Sequence, residues 1–287
     1  MGEGRGYMFI IDTKTIVTPQ NGLNIYRGRT ENNIICMEPE ITDVGVKPEA
    51  DELLSGTLKK RKSKGMILVG NMGDPYNDLE KEYGLMRKCL KWINYFDFGV
   101  VITTRRSLLL RDIDMIKDID RKTKAVVEIP IPSIEVEKMR AIDGGSLSER
   151  LLLMEELHKA EIPFIINIYP IVPFVNDDPV VVKSMLGVLK DYKPTAIDLG
   201  GASVPLVKKQ MDYFYLQYQK RFPEEYNKYL DIHGRSKNII IDTEIELIDA
   251  VRKTASTIGA MWSPPEILDW KRRYENKQAG EQMTFDF

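Results

Sequence analysis

The residues with chemistry to offer fall in short segments that follow apolar runs. Asn24–Cys36 reads NIYRGRTENNIIC, with Arg27 and Arg29 near the thiol of Cys36. Residues 70–80 read GNMGDPYNDLE and supply Asp74, Tyr76 and Glu80. Further on come Thr103, Thr104, Arg105 and Arg106, then Glu128, Asn167, Asn176-Asp177-Asp178 and Asp198. Guanidinium groups clamp phosphate or carboxylate through a planar fork of donors. Two carboxylates such as Asp74 and Glu80 can share acid–base work when burial separates their pKa values. A cysteine near arginines favours its thiolate, although no histidine is near Cys36 in sequence and burial is the commoner fate of the residue. Plainer readings stand beside these. GDPY is a good turn, PFVNDDP reads as a turn closing on a helix N-cap, and Arg105 and Arg106 can pair with neighbouring acids at the surface.

Composition narrows the classes. The 287 residues are 43% hydrophobic and 29% charged, as in a globular protein, and the formal net charge of −2 gives no overall field for nucleic acid. The two cysteines, Cys36 and Cys89, lack a CxxC spacing, and the two histidines, His158 and His233, do not complete a conventional zinc site. No disulfide scaffold is expected, and the composition suits a reducing compartment. The opening MGEGRGYMFIIDTK has too short an apolar run for a signal peptide or membrane span. A cytoplasmic protein with no membrane partner is the expectation.

The elements that must position these residues alternate. Leu23–Tyr26, Met66–Gly70, Gly99–Thr104, Ala125–Ile131, Pro163–Tyr169 and Ala196–Gly200 are short and almost continuously apolar, the pattern of strands buried on both faces. Helical spacing fills residues 48–63, 77–95, 107–119, 146–160, 179–190 and 205–221. Six strand–helix units predict a parallel sheet, barrel-like or open, with ligands at the carboxyl ends of its strands. Later residues are tyrosine-rich, break at Pro223, and predict helices over 243–258 and 264–276.

With the elements in place, the motifs resemble a family. Asn24-Ile25-Tyr26-Arg27-Gly28, GxMxDPYN at Gly70–Asn77 with Glu80 and Glu82, LLRDID at Leu109–Asp114 and Ser148-Glu149-Arg150 follow one another in order. So do the PI-PF-ND stretch at Pro170–Asp177, the QREYFY-like Gln210–Tyr215 and the ending Tyr274-Glu275-Asn276 then Gln282–Phe287. Together they are similar to the spore photoproduct lyase-like group of radical S-adenosylmethionine proteins, over nearly the whole chain. The resemblance implies an incomplete (βα)6 TIM-like barrel over residues 1–204, a helical C-terminal extension over 205–277, and a tail over 278–287.

The resemblance also implies a broken centre. Where the family has three cysteines for a [4Fe–4S] cluster, this chain has Arg29, Asn33 and Cys36. Arginine has no lone pair to give and an amide is a hard, weak ligand for iron, so no cluster is expected. The family's TKS is Thr104-Arg105-Arg106 here, and its Glu-Pro pair is Ala141-Ile142, whereas Asp74, Tyr76, Glu80 and Arg150 are retained near the implied cofactor pocket. Arg29, Arg105 and Arg106 would then make a cationic pocket for S-adenosylmethionine or another small anionic ligand, in a pseudoenzyme or repurposed binding protein. Altered, non-radical chemistry in the same mouth and a DNA-repair interaction protein are the alternatives. The tail Gln282–Phe287 resembles peptides that dock on bacterial sliding clamps, which implies a DNA- or clamp-associated partner.

Overall fold

The computed structural model describes residues 8–13, 15–28, 32–36, 38–200 and 206–280. Its strands are β1 (Met8–Ile10), β2 (Gly22–Leu23), β3 (Tyr26–Arg27), β4 (Val44–Val46), β5 (Met66–Val69), β6 (Gly99–Thr103), β7 (Ala125–Pro130), β8 (Phe164–Asn167) and β9 (Ala196–Asp198). One six-stranded sheet has the order β2-β5-β6-β7-β8-β9, with every pairing parallel. Because spatial order equals chain order, each connection crosses back on the same side and carries its helices there. They are α1 (Ala50–Lys60), α2 (Glu80–Tyr83), α3 (Leu85–Tyr95), α4 (Ile113–Lys122), α5 (Val136–Asp143), α6 (Leu147–Lys159) and α7 (Pro179–Leu189). Among the described residues β2 and β9 are not joined, so this is the expected incomplete (βα)6 arrangement.

The period-two alternation of the strands divides two apolar cores. Ile67, Val69, Val100, Ile102, Val127, Ile129, Phe164 and Ile166 face the helical layer and belong to the large core. Their neighbours Met66, Val101, Val126, Ile165 and Ala196 face the other way, into a smaller cluster closed by Ile267 and Trp270 of a late helix. The C-terminal helices are α8 (Lys208–Arg221), α9 (Pro223–His233), α10 (Glu244–Ile258) and α11 (Pro264–Arg272). Thus α11 fills the concave side of the sheet, and the bridge of Met261 to Ala196 leads the chain there along β9.

Several local expectations are corrected. The expected first strand Leu23–Tyr26 divides: Leu23 pairs with Val69 in the main sheet, whereas Tyr26 pairs with Val46 in a small sheet of order β1-β4-β3. Past this switch the Tyr26 hydroxyl donates to the buried Glu80 carboxylate at 2.7 Å. The expected helix 77–95 breaks at Gly84, whose φ of 58° ends α2 and starts α3 in a left-handed conformation. A 3-10 turn at Ser107–Asp112 precedes α4, and α5 was not expected. The expected N-cap is present: the Asp178 side chain accepts from the Val180 N–H, with Pro179 opening α7.

Candidate binding site at the barrel mouth

The inward rows of the sheet become polar at their carboxyl ends. Thr103 stands beside Glu128 in the register of β6 and β7, Pro130 beside Asn167, and Asn167 beside Asp198. A cavity of about 330 Å3 opens here, lined by Thr103, Glu128, Asn167, Tyr169, Asp74, Arg105, Asn33, Cys36 and the Gly70–Gly73 turn, and by Lys271 from α11. Gly70 lets that turn cross the end of β6: it has φ 100°, and a Cβ there would lie 2.1 Å from the Thr103 carbonyl oxygen.

The charges on the wall are paired. Lys271 donates to Glu128 Oε1 at 2.5 Å, and the Thr103 hydroxyl donates to Glu128 Oε2 at 2.8 Å. Arg105 Nε donates to Asp143 Oδ2 at 3.4 Å. The same Asp143 oxygen accepts from Arg150 Nη2 at 2.7 Å, and its Oδ1 accepts from the Gly145 N–H. Asp74 accepts from the Thr104 hydroxyl at 2.7 Å, the Arg105 N–H at 2.7 Å and the Tyr76 N–H at 2.9 Å. These bonds fix the Asp74 carboxylate at the tip of the turn, with both oxygens used by the protein. Arg105 also weighs against the burial that pushes the Tyr169 phenol upward.

The segment Asn32–Cys36 is held from two sides. The Ile34 N–H donates to the Ile142 carbonyl at the end of α5, while Arg221 of α8 donates to the Asn32 and Ala141 carbonyls and the Tyr213 hydroxyl to that of Asn33. Below the mouth lies a buried network. Glu80 accepts from Tyr26, the Met86 N–H and Arg111, while Asp112 accepts from Arg111, Arg87 and Tyr76. Burial and the adjacent Asp112 carboxylate hold the Tyr76 phenol well above its ordinary range, so it stays a neutral donor.

No family model matches the chain, and no curated protein does. Solved structures do. Spore photoproduct lyase complexed with dinucleoside spore photoproduct is similar over 89% of this chain and 81% of its own, with 13% identity and a TM-score of 0.67. A double mutant of that lyase with bound AdoMet and the same photoproduct is similar over 89% and 80%, with 14% identity and a TM-score of 0.64. The chain has the fold of spore photoproduct lyase.

Within this lyase fold the sequence-derived positions separate into groups. Asn33, Cys36, Asp74 and Arg105 line the mouth cavity. Thr104, Tyr76, Glu80 and Arg150 are buried behind it and hold its wall. Arg106 turns outward and donates to the exposed Asp78 at 2.7 Å. Arg29 and Gln282–Phe287 lie outside the described residues. The expected cationic pocket is therefore corrected for Arg106, which meets Asp78 at the surface, and the described cations of the mouth, Arg105 and Lys271, each face a carboxylate. Asn33 Oδ1 accepts from the Ile35 N–H at 2.9 Å, leaving Cys36 as the sulfur donor at the two described cluster positions. One thiol and an engaged amide do not fit a centre that takes three thiolates. Among the described residues no group of three or more His, Cys, Asp and Glu could hold a metal ion, and no helix is long and apolar enough to cross a membrane. Lys271 and Asp143 were missed by sequence reasoning: Lys271 adjoins no motif of the mouth, and Asp143 follows Ala141-Ile142, where the family motif is lost.

Proposed function

We propose that this chain is a cluster-free relative of the radical S-adenosylmethionine barrels. In this reading it holds S-adenosylmethionine, or a small ligand with a similar charged head, without generating a radical. The observation that carries the reading is the charge pattern of the mouth: Lys271 with Glu128 and Arg105 with Asp143 place both signs around a cavity where the described cluster positions offer one thiol. An amino-acid head group is itself a zwitterion. Its carboxylate suits Arg105 or Lys271, and its ammonium suits Glu128, through charge-assisted hydrogen bonds in a partly desolvated site. A spore photoproduct lyase mutant with bound AdoMet supports the ligand class. Glu80 is a poorer candidate for acid–base work, because it is fully buried beneath Tyr26 and Arg111, outside the cavity lining.

Anaerobic reconstitution with iron and sulfide, followed by calorimetry with S-adenosylmethionine, tests the two halves separately. The expected protein stays colourless and binds the ligand, and Lys271→Met weakens binding at least tenfold while the fold persists. A brown protein holding roughly four irons per chain would refute the cluster-free half. Unchanged affinity in Lys271→Met would remove the mouth from ligand recognition.

A further inference from the structure

A second cavity, of about 640 Å3, lies beside the mouth, with Met72 lining both. Its wall brings together Arg27 from β3, Lys47 just after β4 and Arg61 just after α1, and the hydroxyl-bearing Thr13 and Thr15 also line it. Among the described residues the lining contains one carboxylate, Glu38. That group is committed to Arg27: Glu38 Oε1 accepts from Arg27 Nε at 2.7 Å and lies 2.6 Å from Nη2. Among the described residues the Arg61 guanidinium makes one hydrogen bond, from Nη1 to Asn21 Oδ1 at 2.6 Å, and it has further N–H donors to offer. The Lys47 ammonium is partly buried and has no hydrogen bond or ion pair among the described residues. Burial and the neighbouring Arg27 both push its pKa down, and Glu38 only partly offsets them.

A desolvated ammonium beside another cation costs stability unless something anionic joins it. We propose that this second cavity is a binding site for a phosphate group, with Lys47 and Arg61 as its cationic anchors. A phosphate matches the wall chemically, since it offers several acceptor oxygens and more than one negative charge to a compact ammonium and a forked guanidinium. The site is distinct from the zwitterionic mouth, whose cations already face Glu128 and Asp143. A free phosphate ion and the phosphate of a larger molecule share this chemistry. Met72 lines both cavities, so a larger phosphate-bearing molecule in this one would lie next to the mouth.

The test uses the full chain and inorganic phosphate, titrated against chloride at equal ionic strength, with thermal melting and calorimetry as readouts. Phosphate raises the melting midpoint of the parent protein by mass action. In Lys47→Met and in Arg61→Gln the affinity falls at least tenfold, while Arg105→Gln, in the mouth, keeps the parent affinity. Without phosphate at neutral pH, Lys47→Met melts at or above the parent temperature, because an unpaired charge has left a partly buried place; this keeps lost binding from being confused with lost folding. A ligand such as pyrophosphate or a nucleoside monophosphate that binds more tightly than phosphate, and loses that gain in Lys47→Met, identifies the larger molecule. The proposal is overturned if phosphate leaves the parent midpoint unmoved. It is equally overturned if the Lys47 and Arg61 variants bind as the parent does, or if Arg105→Gln alone abolishes binding.

Discussion

At the scale of single residues, Asp143 decides how the mouth is built. It is fully buried and lies between Arg150, also fully buried, and the wall cation Arg105. Removing one partner of a buried pair leaves the other charge desolvated, which costs about 3–5 kcal/mol. Asp143→Ala is therefore expected to lose stability of that order in chemical denaturation, and Asp143→Asn less, since its amide oxygen still accepts from Arg150. A loss below about 1 kcal/mol for the alanine variant would mean that Arg150 finds an equivalent partner. The position also shows where sequence reasoning ended. Arg150 was visible through its Ser148-Glu149-Arg150 motif, but Asp143 follows Ala141-Ile142 in a helix that was not expected, so nothing marked it as the acid that Arg150 needs.

At the scale of elements, α11 links stability to the site. Its Ile267 and Trp270 cover Met66, Val101, Val126 and Ile165 on the concave side of the sheet, and the next residue, Lys271, reaches Glu128. Lys124 fastens the helix from below by donating to the Trp270 carbonyl at 2.7 Å, with its ammonium 4.3 Å from the indole centroid. Truncating a buried isoleucine costs about 2–5 kcal/mol. Ile267→Ala is expected to destabilise by roughly that amount and also to weaken binding at the mouth, because the seat of Lys271 loosens. Denaturation paired with calorimetry checks this, and lost stability with unchanged binding would separate the plug from the site. The parallel strands were legible because both of their faces are buried, giving apolar runs such as MILV and FIIN. The place of α11 was not legible. Its helical spacing indicates an amphipathic helix, but any apolar face could receive it, and the contact with Glu128 spans 143 positions. The small sheet was missed for a related reason: two- and three-residue strands carry no periodicity, and only their partners define them.

At the scale of the whole molecule, the helices after β9 join the sheet at the loop before α7. Tyr218 of α8 donates to the Pro173 carbonyl at 2.6 Å, and Thr243, just before α10, donates to the Asp177 carbonyl at 2.7 Å. The aromatic rings of α8 and α9 lie in the same buried cluster as the strands, so the junction is apolar around a largely buried carboxyl, Asp177. Burial holds that carboxyl above its ordinary pKa of 3.8, backbone N–H groups of Phe174 and Asp177 oppose the shift, and the carboxylates of Asp242 and Asp178 add to it. A carboxyl with a raised folded pKa binds its proton more tightly in the folded state than in the unfolded one. Stability therefore falls as pH rises from the unfolded value towards the folded one, and the deficit persists above it. Asp177→Asn keeps an acceptor oxygen for the backbone N–H groups and removes the charge. It is expected to melt above the parent protein at pH 7, with the difference shrinking as the pH falls through the folded pKa and vanishing below the unfolded value of about 4, where the carboxyl is protonated in both states. Melting curves of both proteins across this range measure the difference directly. An asparagine variant that melts below the parent at pH 7 would show that the ionised carboxylate, through its backbone hydrogen bonds, holds the junction together.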